Sequence, residues 1–394
     1  MYLDSGIKVL DVSRQISFLM DPLSAAIRNN GDDAYVVYAS SRDADMRYLT
    51  HFTTSDPFVY VKKPNKKGVI IVSQMEVGRA TREATADVMT RTQAGLPDIL
   101  KKEPDPTRAL AQMIAGQTGK KILVPQNFPL ALANALAEHC TVTVDNATVM
   151  SMRAVKTGEE IQSLKTVQRV TQAAMGRAVS LIRSASVKKG ILHAKGKPLT
   201  SERIKYCLHS TLLEQGCYAT DTIVSCGEDT AVPHMTGTGS LRADEPIVID
   251  LFPVHEKSGY YADMTRTVVK GEPSKEIGEM YSVLREAKRQ AISRVKAGVS
   301  GADVHQGVVD FFKDHGYESN TQGFVHNLGH GVGLQVHEQP TVGPSGKALV
   351  KGNVITIEPG LYYSGIGGVR IEDMGVVGRT RFENFTSFPE ELVI

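Results

Sequence analysis

His326, His330 and His337 fall within twelve positions of the stretch VHNLGHGVGLQVHEQP, interleaved with Gly329, Gly331 and Gly333. Imidazoles at this density bind metals, move protons or donate hydrogen bonds to developing charge. His326 and His330 are four apart, but the intervening NLG lacks the glutamate of an H-E-x-x-H motif. The glycines also oppose a continuous helix, so a strand or tight loop is expected. A phosphate cradle is the poorer reading, because the spacing is G-x-G-x-G and no dinucleotide-binding pattern accompanies it.

Four acids form a second pattern. EPIVID ends on Asp250 and NVITIE ends on Glu358; Asp263 follows in YYADMTRT and Glu372 in GVRIED. Glu358 lies 108 positions after Asp250, and Glu372 lies 109 after Asp263. LLEQGCY (212–218) and FFKDHGY (311–317) repeat an apolar helix end stopped by glycine. One supersecondary unit used twice would give two similar halves facing each other across a pseudo-twofold axis.

A carboxylate at a strand end as apolar as IVID costs several kcal/mol to ionise unless it is paired. Salt bridges to Arg242, Arg266, Arg370 or the last lysines are one solution. If the halves pack symmetrically, however, four acids meet, repel and mostly protonate. Two divalent cations would neutralise them. With one imidazole added the donor set is oxygen-rich, which suits manganese, cobalt or catalytic zinc better than a closed structural zinc site. Carboxylates bridging two ions roughly 3.5 to 4 Å apart can clamp a hydroxide and polarise a carbonyl.

These acids need a scaffold. Up to about residue 150, β-branched runs such as AYVVYA (34–39), FVYVKK (58–63) and GVIIVSQ (68–74) alternate with helix-like segments, which indicates an α/β domain over 1–152. The amphipathic run from Thr157, with Thr157 and Glu160 spaced as a capping box, begins a second domain over 153–394. Lysine plus arginine (45) nearly balances aspartate plus glutamate (43), so no charge excess advertises a nucleic-acid or membrane partner. Cys140, Cys207, Cys217 and Cys226 lack C-x-x-C spacing and read as free thiols in a reducing compartment. The N-terminus shows no signal-peptide pattern and no apolar run approaches membrane-spanning length, so a soluble, cytoplasmic protein is expected.

In combination, VHNLGHGVGLQVHEQP, VITIEPGLYY, GVRIED and VIDLFPVHEKSGYYADMTRT resemble the dinuclear metallopeptidases of the pita-bread fold, in their proline-specific branch of Xaa-Pro dipeptidases and Xaa-Pro aminopeptidases. The resemblance is strong over about 155–394; earlier, DADMRYLTHF looks like the family's creatinase-like N-terminal domain. It implies an α+β pita-bread catalytic domain with an internal pseudo-twofold repeat. It also implies two divalent ions held by Asp250, Asp263, His330, Glu358 and Glu372, with Asp263 and Glu372 bridging. His234 and His337 would stabilise charge on the scissile carbonyl, and Glu358 would serve as proton carrier for a metal-bridged hydroxide. His326 and Arg370 would line the substrate pocket, although Arg370 could equally form a structural ion pair. The substrate would be a small peptide with proline second, and the family suggests a homodimer. Phe252 stands where a glycine is usual, and the hairpin to Asp263 is slightly long; both bear on substrate more than on metals. A methionine aminopeptidase-like enzyme and a non-catalytic binding protein on the same fold are the alternatives.

Overall fold

The computed structural model describes residues 21–394. Contacts divide the chain into two compact units, the first ending at Met152 and the second running Arg153–Ile394. Among its described residues the first unit carries six strands: β1 (Ala34–Ala39), β2 (Phe58–Lys62), β3 (Val69–Val72), β4 (Asp87–Thr90), β5 (Lys121–Val124) and β6 (Thr141–Val144). They form one sheet in the order β4-β3-β2-β1-β5-β6, antiparallel at β1–β2 and β2–β3 and parallel elsewhere. Ala34 and Val36 pack into one apolar cluster and Tyr35 and Val37 into another. Both faces are therefore covered, which is why these strands read as unbroken apolar runs.

The second unit repeats itself. Its first half has helices α1 (Gly158–Arg183) and α2 (Ser201–Leu213), then strands β7 (Ile223–Cys226), β8 (Ile247–Leu251) and β9 (Met264–Val268) in the order β7-β8-β9. Its second half has α3 (Lys275–Arg294) and α4 (Gly301–Asp314), then β10 (Gly329–Gly331), β11 (Glu338–Val342) and β12 (Val354–Ile357). A short hairpin of β13 (Gly360–Tyr363) and β14 (Gly367–Arg370) leads into β15 (Asp373–Val377) and β16 (Phe382–Asn384). The sheet order there is β11-β10-β12-β15-β16. Helix α1 starts on the capping box expected at Thr157 and Glu160, with both reciprocal hydrogen bonds made.

Strand alternation decides where the acids point. Ile247, Ile249 and Leu251 of β8 sink into the cluster built on α1 and α2, so Asp250 faces the other way. Ile355 and Ile357 of β12 sink into the cluster built on α3 and α4, so Thr356 and the following Glu358 face away from those helices. Asp263 immediately precedes β9 and Glu372 immediately precedes β15. The halves are stitched where these two meet: Glu372 N donates to Thr265 O at 3.1 Å, and Thr267 Oγ1 donates to Arg370 O at 2.9 Å.

The glycines among the histidines permit close backbone approach. A Cβ on Gly329 would sit 2.0 Å from Thr356 O, and one on Gly331 would sit 2.2 Å from Gln339 O. His330 thus rides a strand pressed between two neighbours, with no room for side chains on either side of it. Gly331→Ala forces backbone apart and is expected to lower unfolding free energy by about 1–3 kcal/mol. Urea denaturation measures this, and an unchanged midpoint would contradict the close-packing account.

Candidate metal centre and active site

Asp263, His330 and Glu372 each offer a ligand atom lying within 4.8 Å of the others. Asp263 is 4% exposed and Glu372 2%. His330 Nε2 lies 3.7 Å from Asp263 Oδ2 and 3.0 Å from Glu358 Oε1, which draws Glu358 into the same cluster. The other ring nitrogen, Nδ1, faces Gly331 O at 3.2 Å. A carbonyl only accepts, so Nδ1 carries a hydrogen and Nε2 is the atom turned to the acids.

The charges interact strongly. Burial, reinforced by the negative charges of Asp250 and Glu358, pushes the Asp263 carboxyl well above the usual carboxylate range. Burial and the charges of Asp263, Glu358 and Asp250 do the same to Glu372. Glu358 behaves differently. Although burial opposes it, the hydrogen bond and charge of His330, with His326 and Arg370, hold Glu358 down to about 2. Burial also opposes ionisation of His330, yet its bond to Glu358 and the charges of Glu358 and Asp263 push it up to about 9. Without metal the centre is therefore an ion pair between His330 and Glu358 beside two carboxyls whose ionisation burial and neighbouring negative charge oppose.

Asp250 completes the ring of acids. Its Oδ2 accepts from Arg370 Nη2 at 2.7 Å, while its Oδ1 is buried with no hydrogen-bond partner among the described residues. Arg370, 3% exposed, also donates through Nη1 to Tyr362 Oη at 2.7 Å and Pro233 O at 3.3 Å, and through Nε to Thr265 Oγ1 at 3.3 Å. The guanidinium is thus the ion-pair partner of Asp250 and is largely occupied by the chain's own groups. Of the other arginines considered as partners for the acids, Arg242 pairs with Glu245 and Arg266 with Asp373.

His326 joins this chain of contacts. Its Nδ1 donates to Asn327 O at 2.7 Å, leaving Nε2 to accept from Tyr362 Oη at 3.0 Å. Burial, followed by the charge of Arg370, holds its pKa below the usual value, so the ring is neutral at pH 7. His337 stands against His330 with ring centroids 4.2 Å apart, and burial and the neighbouring imidazole lower its pKa as well. His234 is exposed in the turn after Ala231, near enough for its charge to depress both His326 and His337.

Sequence reasoning passed over the groups that orient the acids. Thr265 Oγ1 donates to Glu372 Oε2 at 2.8 Å; Thr356 Oγ1 donates to Glu358 Oε1 at 3.1 Å and accepts from His330 N at 3.1 Å. Both threonines sit two residues from an acid on the same strand face, a signal present in MTRT and VITIE. Tyr362, through its hydroxyl, links His326 to Arg370. Behind Glu372, Asp373 binds Arg266 at 2.9 Å and Lys288 at 2.6 Å, and Arg266 Nη1 donates to Glu372 O at 2.7 Å. All four cysteines are free, and Cys226 is buried in the core.

The chain is similar to known proteins over both units. The sequence profile of Metallopeptidase family M24 matches residues 162–379, and that of the Creatinase/Prolidase N-terminal domain matches residues 20–155. The Xaa-Pro dipeptidase of Pyrococcus furiosus is 30% identical over 247 residues, a match spanning 62% of this chain and 66% of that protein, just under two thirds of its length. Among solved structures, an Xaa-Pro dipeptidase from Bacillus anthracis superposes with a TM-score of 0.81 at 25% identity, covering 96% of this chain and 99% of that one. An X-Pro aminopeptidase from Thermotoga maritima does so with 0.77 at 27% identity, covering 94% and 100%. The fold is the pita-bread catalytic domain preceded by a creatinase-type domain, and the chain belongs to Metallopeptidase family M24.

Proposed function

We propose that this chain is a metal-dependent peptidase that hydrolyses the Xaa-Pro bond of dipeptides or peptide N-termini with two divalent ions. One observation carries the reading: four buried or half-buried carboxylates converge with His330, and burial with mutual repulsion opposes ionisation of two of them, Asp263 and Glu372. The donor set fits divalent metal. Asp250 Oδ1 is buried without a hydrogen-bond partner, as a ligand oxygen would be, and His330 already presents Nε2. Asp250 would hold one ion, His330 and Glu358 the other, with Asp263 and Glu372 shared. An oxygen-rich set with one imidazole best matches manganese or cobalt.

When bound, the ions supply Lewis acidity and a nucleophile available at neutral pH. The chain's own groups do the rest. Glu358, fixed by Thr356, accepts the nucleophile's proton and returns it to the departing proline nitrogen. His337 and His234 donate hydrogen bonds to the carbonyl oxygen as negative charge grows on it. The depressed pKa keeps His337 a neutral donor. Arg370 acts on Asp250 rather than on substrate, while His326 offers a ring face, because both of its nitrogens are engaged. Proline specificity has a physical basis: the Xaa-Pro bond is a tertiary amide without N–H and with φ locked, so clefts that grip extended backbone fit it poorly. The homodimer expected from the family resemblance belongs to the same proposal. No described helix is long and apolar enough to cross a membrane.

Metal-free protein has a distinctive pH response. The folded-state values of His330, Asp263 and Glu372 all lie above their ordinary values, so the stability they contribute is complete at low pH and is lost as pH rises through those folded values. Chelated protein is expected to lose stability as pH rises from His330's ordinary value of 6.5 to its raised value of about 9, with Asp263 and Glu372 adding losses that begin above their own ordinary values, and saturating manganese should remove that dependence. Thermal unfolding with and without chelator measures this; identical profiles would contradict the metal assignment.

Assays of manganese- or cobalt-loaded protein on Ala-Pro, on a longer Xaa-Pro peptide and on a Met-Ala peptide test the specificity. Cleavage of either proline substrate is expected, with the preferred length separating dipeptidase from aminopeptidase. Cleavage of Met-Ala alone would indicate a methionine aminopeptidase, and cleavage of none a binding protein.

A further inference from the structure

Glu338 follows His337 directly, and none of the roles assigned above uses it. Its side chain is 1% exposed, and each carboxylate oxygen has its own buried cation. Oε2 accepts from Arg153 Nη2 at 2.6 Å and Oε1 from Lys156 Nζ at 2.6 Å. Arg153 Nη2 reaches the same loop a second time, donating to Gln335 Oε1 at 2.8 Å. The cations are themselves anchored: Lys156 N donates to Gly352 O at 2.9 Å, and Asn353 Nδ2 donates to Ala154 O at 2.8 Å.

The loop between β10 and β11 is wound around this carboxylate. A Cβ on Gly333 would lie 2.2 Å from Glu338 Oε1, so the glycine admits the acid. Gly333 N donates to Gln335 O at 3.0 Å, and Gly333 O accepts from Tyr261 N at 2.8 Å. Residues 332–337 form neither helix nor strand, and His337 is the last of them. A segment with so little regular structure is held in one place only by specific contacts. A buried carboxylate shared by two cations is such a contact, because displacing it leaves several charges unpaired out of water.

We propose that Glu338 is a positioning residue for His337. Clamped by Arg153 and Lys156, it fixes where the His337 ring stands against His330 and so where its N–H meets the substrate oxygen. The inference rests on the reading of His337 as a donor to that oxygen.

The test is a double-mutant cycle on the full-length, manganese-loaded chain with an Xaa-Pro substrate, combining Glu338→Gln with His337→Ala. Glu338→Gln should lower kcat about tenfold with KM and bound metal within twofold of the parent, the pattern of a lost transition-state contact. In the His337→Ala background the same substitution should cost less than about twofold, since residues acting through one another are not additive. Lys156→Met removes one clamp while leaving the Arg153–Glu338 pair, and it serves if Glu338→Gln does not fold. Its effect should be smaller, about threefold in the parent, and likewise vanish without His337. An equal loss in both backgrounds, or loss of bound metal on Glu338→Gln, would overturn the proposal. If His337→Ala alone leaves kcat unchanged, the donor role of His337 fails, visibly and separately, and this inference falls with it.

Discussion

Electrostatic repulsion among acids that share a small volume is the constraint around which the second unit is organised. Asp250 and Glu358 lie close enough that their charges oppose ionisation of both Asp263 and Glu372, and Asp263 also opposes that of Glu372. Protein groups relieve part of the strain: Arg370 neutralises Asp250, and His330 takes a proton to pair with Glu358. Among the described residues, no cation pairs with Asp263 or Glu372 except His330, 3.7 Å from Asp263. A cluster whose full ionisation is favoured by added positive charge has the chemistry of a candidate metal centre.

Duplication makes the convergence geometrically simple. Each half contributes a buried strand that ends on an acid and a neighbouring strand that begins after one. The apolar side chains of β8 and β12 commit one strand face to the helices of their own half, which sends the acids to the opposite face. Backbone and threonine hydrogen bonds then join β9 to the segment around Glu372. Arg266 adds a second join by donating to Glu372 O while pairing with Asp373. The described residues of the first unit, a mixed six-stranded sheet with both faces covered, repeat none of this pattern.

Much of the fold and of the centre was legible in the sequence, for identifiable reasons. A carboxylate at the end of IVID or VITIE contradicts its apolar surroundings, and a contradiction repeated 108 residues later marks a site. Gly329 and Gly331 pointed to a strand or tight loop, and the structure adds that Thr356 and Gln339 press against them. Partners distant in sequence were illegible. Arg153 meets Glu338 across 185 positions and Arg370 meets Asp250 across 120, and no local pattern distinguishes these arginines from exposed ones. Tyr362 was missed for a related reason: its hydroxyl matters only because His326 and Arg370 arrive on either side of it.

Metal content bears most directly on the account. Protein stripped with chelator, re-equilibrated with manganese and desalted can be measured by elemental analysis against protein concentration, alongside an Asp263→Ala variant. Two ions per chain are expected for the parent, because four carboxylates and one imidazole are enough to hold two. The variant should hold fewer, since Asp263 would be shared between them. A parent chain that retains no ion, or a variant that retains as many as the parent, would contradict the claim that these acids gather to bind metal.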